Sequence, residues 1–277
     1  MKIFGICLAK NDADIIEYLL NENSKWAHKI FVYDNGSTDD TWEIVNELAK
    51  TNKVIVPWKK ENIDFQPYLR ARVYNANKHL ASKGDWWCWS MDTDEFYIDD
   101  PRDFLSKVPK YYQAVVAQAF EYKLTWEDLK EFEFTNSSPH DAEQLKYYAP
   151  LTYGELRFFR HRNRLKWNNF HTRPKHYGVI YKKPIRLKHL QYRSPDQIQK
   201  RLDLRRAVMK KGYDKWEHDN FETWQEKVDH RKDLIRETPE FQNDGPKYPY
   251  LHFPKNLKGK IKKRYLPFIF HLLKIWP

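Results

Sequence analysis

Cysteine, methionine and glycine are scarce in this 277-residue chain, with two, three and eight copies. Cys7 and Cys88 each sit in an apolar run read as a buried strand, so no disulfide framework is expected and a reducing cytosol suits the chain. So little glycine beside fifteen prolines excludes collagen-like and low-complexity composition. Long apolar runs are missing too. Leu266 to Trp276 is interrupted by Pro267, His271 and Lys274, well short of the ~20 residues of a spanning helix. Met1–Lys10 is one short apolar run without a signal-peptide cleavage pattern, so export is not expected. Internal repeats, zinc-type cysteine spacing and RNP-like or helix-turn-helix signatures are also lacking.

What the chain does have is 41 % hydrophobic and 16 % aromatic residues. That excludes global disorder and supports a substantial core without disulfides. The length suits one large domain, or a domain with an extension. Forty-nine basic residues against 38 acidic ones give a net charge of +11. The first hundred residues are mixed in sign, whereas Arg157–Arg206 and Lys255–Arg264 are strongly basic. Such charge suits nucleic acid, an anionic membrane surface or a negatively charged substrate such as a sugar nucleotide.

Along the first hundred residues, β-favouring apolar runs alternate with helical patterns. Residues 2–9 read as a buried strand. Asn11 and Asp12 offer N-cap chemistry to a helix carrying Ile15, Ile16, Leu19 and Leu20. A strand over Lys29–Tyr33 ends in the turn cluster Asp34-Asn35-Gly36-Ser37, where Ser37 or Thr38 is positioned to cap a helix bearing Trp42, Val45 and Leu48. A strand over Lys53–Pro57, a helix over Tyr68–Ser82 stopped by Gly84, and a strand over Trp86–Met91 follow. The pattern is that of βαβ units around a mostly parallel sheet with helices on both faces. Such sheets bind ligands beyond the carboxyl ends of their strands. Three polar clusters fall there: Lys10-Asn11-Asp12, Asp34-Asn35 and Asp92-Thr93-Asp94.

The second half is less regular. A helix is expected over Pro101–Val108, a strand over Ala114–Tyr122, a β-hairpin over Leu156–Asn168 turning near Arg162-Asn163, and a strand over Ile185–Gln191. A helix capped by Ser194-Pro195-Asp196 is expected to end near Lys211 and Gly212.

Asp92 and Asp94, two residues apart at a strand terminus, can both reach one hard cation, which is how carboxylates and a diphosphate share a divalent metal. Alone, the pair is common, and a solvated turn also accounts for it. The context is more specific. K-N-D-A-D-I-I-E after the first strand, V-Y-D-N-G-S-T-D-D-T after the second and G-D-W-W-C-W-S-M-D-T-D-E-F at the fourth resemble family 2 glycosyltransferases of the GT-A fold, in particular a bacterial polysaccharide-type branch. The resemblance is specific over residues 1–100, looser to about 200, and absent from the last sixty.

The resemblance implies a catalytic domain over 1–212, with a nucleotide-binding half (1–100) and an acceptor-binding half (101–212), and a basic, aromatic C-terminal extension over 213–277. Lys10, Asn11 and Asp12 would line the base and ribose pocket, and Asp34, with Asn35, Ser37 and Asp39 beside it, would hold the uracil or ribose. Arg72 would contact the base or diphosphate, with Asn75 on the same helical face. Asp92 and Asp94 would bind manganese or magnesium, which neutralises charge on the leaving nucleoside diphosphate. A late histidine would join them. His189 is ranked above His171, after which Thr172 replaces the glutamate frequent in relatives. Inversion requires a base for the acceptor hydroxyl; Glu121 is favoured, with Glu155 and Asp128 or Glu127 as the other candidates.

The expected function is therefore metal-dependent sugar transfer from a nucleotide-diphosphate sugar, with UDP the nucleotide, to a glycan or lipid-linked glycan acceptor in surface polysaccharide synthesis. Lys255–Arg264 before an aromatic-aliphatic segment suits peripheral attachment to an anionic membrane surface on its cytoplasmic side. No nucleic-acid partner is expected, because the basic residues avoid the acidic rim. A basic nucleic-acid-binding protein and an inactive transferase-like assembly factor are the alternative classes. A D-x-D-x-[TV] phosphatase is discounted because Phe96 occupies the Thr/Val position.

Overall fold

The computed structural model describes residues 1–66, 68–135, 140–149, 153–163, 165–174, 178–209 and 221–238, with isolated positions between 265 and 273. The expected helix stop at Lys211-Gly212 and the basic run Lys255–Arg264 lie outside the described residues.

In chain order the strands are β1 (Ile3–Ala9), β2 (Lys29–Asp34), β3 (Ile55–Lys60), β4 (Trp86–Met91), β5 (Glu95–Tyr97), β6 (Ala114–Glu121), β7 (Tyr147–Tyr148), β8 (Tyr153–Arg160), β9 (Ile185–His189) and β10 (Ile235–Arg236). The helices are α1 (Ile16–Ser24), α2 (Thr41–Thr51), α3 (Leu69–Asn77), α4 (Pro101–Ser106), α5 (Asp128–Glu131), α6 (His140–Gln144) and α7 (Pro195–Met209). Eight strands form one mixed sheet in the order β3-β2-β1-β4-β8-β6-β9-β5, and β7 pairs with β10. β3, β2, β1 and β4 are mutually parallel, and β8 runs antiparallel to both β4 and β6.

Every residue of β1 and of β4 is buried, as a parallel sheet covered on both faces requires. One face of β1 (Phe4, Ile6, Leu8) packs with Leu69, Val73 and Tyr74 of α3 and with Trp87 and Trp89 of β4. Tyr74 meets Trp87 and Phe159 edge-on at 5.1 and 5.5 Å, the geometry aromatic quadrupoles favour. Beyond β4, Tyr18 of α1 stacks on Phe96 of β5 at 4.8 Å. Cys7 and Cys88 are buried and free.

The described chain divides into two compact units, one chiefly Met1–Ala119 with Tyr153–Leu187, the other Phe120–Thr152 with Lys188–Lys247. In the second, the guanidinium of Arg231 gathers the helix α5 carboxylates of Asp128 and Glu131 at 2.7 Å.

Several local expectations are corrected. α1 has Ile15, not Asn11 or Asp12, before its first turn, and neither Ser37 nor Thr38 caps α2; those side chains bond between loops instead. α3 ends at Asn77 and passes into a 3-10 turn over Lys78–Leu80. Gly84, at φ +97°, belongs to the turn entering β4, which only glycine adopts without strain. Among the described residues of 156–168 no hairpin forms. One strand, β8, is held by long-range partners on both sides, and the described chain beyond Arg160 is irregular. β8 also carries a bulge: Phe158 lies opposite Val115 and Leu156 opposite Val116, so Arg157 is the extra residue.

Candidate active site

The parallel register fixes where the strands end. Ala9 pairs with Asp34, Asp34 with Lys60, and Cys7 with Met91. The segments after β1, β2, β3 and β4 therefore leave the sheet from one edge. Lys10, Asn11, Asp12, Asp34, Asn35, Glu61, Asp92 and Asp94 all stand on it or directly beyond it.

Polar bonds knit the first two loops. Asn11, at φ +57°, donates its backbone N–H to Ser37 Oγ at 3.0 Å, and its Oδ1 accepts from the Thr38 N–H at 2.8 Å. The Asp12 N–H donates to Thr41 Oγ1 at 2.8 Å, and Lys10 Nζ reaches the Asn35 carbonyl at 3.4 Å. Asp34 is fully buried. Its Oδ1 accepts from the Gly36 and Ser37 N–H groups at 2.8 and 2.7 Å, while Oδ2 is buried with no partner. A buried carboxylate oxygen left unsatisfied costs free energy that a ligand donor recovers. Gly36, at φ +104°, lies against the next loop: a Cβ there would meet the Asn62 Cα at 3.0 Å.

Arg72 bonds the Tyr33 hydroxyl at 2.6 Å and pairs with Glu61 at 2.9 Å. Glu61 also bonds Tyr33 and Lys59. These bonds, that from Lys59 first, hold the Glu61 carboxyl down to about 2. Burial pushes the Tyr33 phenol up. Asn75 donates to the Trp167 carbonyl at 2.7 Å and to Asn169 Oδ1 at 3.1 Å.

At the end of β4 Asp92 meets two arginines that the sequence reading did not single out. Asp92 pairs with Arg70, buried and set over Trp89 at 5.7 Å, and with Arg157 Nη1 at 3.3 Å; Ser90 Oγ donates to it as well. Burial would raise the Asp92 carboxyl, but Arg70 and then Arg157 outweigh it, so it lies below its ordinary value. Arg157 has no solvent exposure, donates to the Ser90 carbonyl at 2.8 Å, and pairs with Glu95 at 2.8 Å and Glu155 at 3.0 Å. Burial alone would depress its basicity, yet Glu95, Glu155 and Asp92 hold it raised. The available signal was a charged residue inside the apolar run Leu156-Arg157-Phe158-Phe159, since an arginine there must find carboxylates.

Asp94 is buried beside Asp92. Glu121 and His189 belong to the second unit, where Glu121 pairs with Lys123 at 3.1 Å and the His189 carbonyl accepts from the Tyr122 N–H. The His171 carbonyl accepts from the Trp167 indole at 2.8 Å. Among the described residues no three His, Cys, Asp or Glu side chains are grouped to hold a metal ion. Asp92 and Asp94 both carry the hard oxygen donors a divalent cation takes; the Asp92 side chain is 34 % exposed, whereas Asp94 is 3 % exposed.

No family model and no curated protein matches the sequence. Among solved structures, the chain is similar to a mannosyltransferase from Pyrobaculum calidifontis in complex with GDP-Man and Mn2+, at 16 % identity and TM-score 0.38 over 68 % of this chain and 56 % of that one. It is also similar to glucosyl-3-phosphoglycerate synthase from Mycobacterium tuberculosis in complex with phosphoglyceric acid, at 16 % identity and TM-score 0.26 over 43 % and 44 %. The chain thus spans little more than half the length of the mannosyltransferase. These likenesses are partial, and the functional reading rests on the site.

Proposed function

We propose that the protein is a metal-dependent glycosyltransferase of GT-A type that moves a sugar from a nucleotide-diphosphate sugar, a UDP-sugar, to a glycan or lipid-linked glycan acceptor. One observation carries the reading: Asp34, with a buried unpartnered oxygen, stands on the same sheet edge as Asp92 and Asp94. That edge is where open α/β sheets bind nucleotides.

In this reading Asp34 Oδ2 accepts a hydrogen bond from a ribose hydroxyl or a base N–H. Lys10, Asn11, Asp12 and Asn35 form the surrounding wall, and Arg72 stands at its far side. Asp92 and Asp94 would hold manganese or magnesium, with a later histidine as the further ligand the family resemblance implies. When bound, the cation supplies neutralisation of the charge that develops on the departing nucleoside diphosphate. Arg70 and Arg157 orient Asp92 and keep it ionised, so this chain's own part is to fix a ligand oxygen before substrate arrives. A family 2 affiliation and a place in bacterial surface polysaccharide synthesis are consistent with the motifs.

The C-terminal segment supports attachment to an anionic membrane surface on its cytoplasmic face. Lys255–Arg264 carries six basic residues and no acidic one, and Leu266, Ile269, Leu272 and Leu273 are exposed. Among the described residues no helix is long and apolar enough to cross a membrane.

Thermal unfolding with UDP or GDP, with and without Mn²⁺, tests the transferase reading. A stabilisation that requires nucleotide and metal together supports it, followed by metal-dependent hydrolysis of one member of a nucleotide-sugar panel. No shift with any nucleotide would contradict it.

A further inference from the structure

We propose that Glu155 is the catalytic base of this transferase and that Arg157 is the positioning residue that sets it against Asp92. The inference deepens the transferase reading and rests on it.

The bulge in β8 is the starting point. Beyond the Cys88–Phe158 pair, the regular ladder between β4 and β8 stops. The extra residue, Arg157, is thereby re-aimed along the end of β4, where its Nη1 finds the Ser90 carbonyl at 2.8 Å. Bulges beside active sites commonly redirect a side chain in this way. A single planar guanidinium then bridges carboxylates from three places: Asp92 after β4, Glu95 on β5 and Glu155 on β8.

Solvent exposure separates their roles. Arg157 is sealed and Glu95 nearly so, at 0 % and 6 % side-chain exposure, whereas Asp92 and Glu155 keep 34 % and 42 %. Glu95 thus balances the buried charge, and Asp92 and Glu155 are the two carboxylates that substrate can meet. Their contacts to Arg157 are 3.3 and 3.0 Å, and one guanidinium spans them, so the two oxygens lie within about 9 Å of each other. Glu121, the base expected from sequence, pairs with Lys123 at 3.1 Å within its own unit.

The step balances without a further reagent. The acceptor hydroxyl oxygen forms a bond to the anomeric carbon as the bond from that carbon to the diphosphate oxygen breaks. The bonding pair leaves with the nucleoside diphosphate. The hydroxyl proton passes to a Glu155 oxygen and later to water.

The full-length chain is assayed by Mn²⁺-dependent hydrolysis of UDP- and GDP-hexoses, a reaction in which water replaces the acceptor and still needs a base. Glu155→Gln is expected to lower kcat by roughly 10²–10⁴-fold, the usual worth of a general base, with donor KM and Mn²⁺-dependent UDP binding within about threefold. Glu155→Ala is expected to regain part of its kcat on addition of formate, a small proton acceptor, as a merely structural carboxylate would not. Arg157→Lys keeps a buried cation but cannot bridge three carboxylates; its kcat is expected to fall at least ~10-fold without formate rescue. A wild type that turns over, beside a Glu155→Gln variant of equal kcat, would overturn the base assignment alone. A wild type with neither nucleotide binding nor turnover would overturn the transferase reading and this inference with it.

Discussion

Asp34 is the side chain on which the proposed nucleotide recognition turns. One of its oxygens is committed to the Gly36 and Ser37 N–H groups and the other is buried without a partner. Replacement by asparagine keeps an acceptor for both N–H groups and so preserves the turn, but puts an amide donor where the orphaned oxygen was. Asp34→Asn is therefore expected to leave the melting temperature close to wild type. UDP affinity should drop by roughly 10–100-fold, the worth of one hydrogen bond to a charged group. Scanning calorimetry reads the first arm and titration calorimetry the second, and unchanged affinity would remove Asp34 from the nucleotide pocket. At the same scale, Arg70 and Arg157 show what a motif-based reading overlooks. Motifs draw the eye to the carboxylates, while the guanidiniums that orient them come from a helix and a strand distant in sequence.

Among elements, the ends of β2, β3 and α3 are joined through Glu61, which takes bonds from Lys59, Tyr33 and Arg72. Its carboxyl is held at about 2, below its ordinary 4.5. A depressed carboxyl stabilises the fold above its unfolded value and loses that contribution as pH falls through the folded one. Wild type is thus expected to lose melting temperature between pH 5 and pH 3 by more than Glu61→Gln does. Equal slopes in the two proteins would show that Glu61 is not bound in this way.

Elements also show how much was legible. β4 falls on its expected span and β1 and β2 within a residue or so, because short apolar runs closed by turn residues have few other ways to fold. Their parallel order put Lys10–Asp12, Asp34 and Asp92–Asp94 on one edge, as expected. β8 was misread as half of a hairpin because nothing local records that its partners, β4 and β6, lie far away in the chain. β5, only three residues long, has no periodicity to read. The bulge at Arg157 is a property of the β6 register, and so was invisible in the sequence.

Over the whole molecule, the net charge of +11 is unevenly spread, and its last basic block adjoins exposed Leu266, Ile269, Leu272 and Leu273. Each basic residue near an anionic bilayer contributes about 1 kcal/mol. The protein is expected to sediment with phosphatidylcholine vesicles only when they contain phosphatidylglycerol. The triple change Lys260→Glu, Lys262→Glu and Lys263→Glu should lower partitioning by roughly a hundredfold or more. Equal sedimentation with both vesicle types would contradict an electrostatic attachment.

The transferase account depends most on a cation gripped between Asp92, Asp94 and a diphosphate at the carboxyl edge of the parallel strands. The direct measurement is UDP binding by wild type and by Asp94→Ala, each with Mn²⁺ and with chelator. The account predicts metal-dependent binding in wild type, and in the variant the weak binding that wild type shows under chelator. Binding that ignores both the metal and the substitution would contradict it.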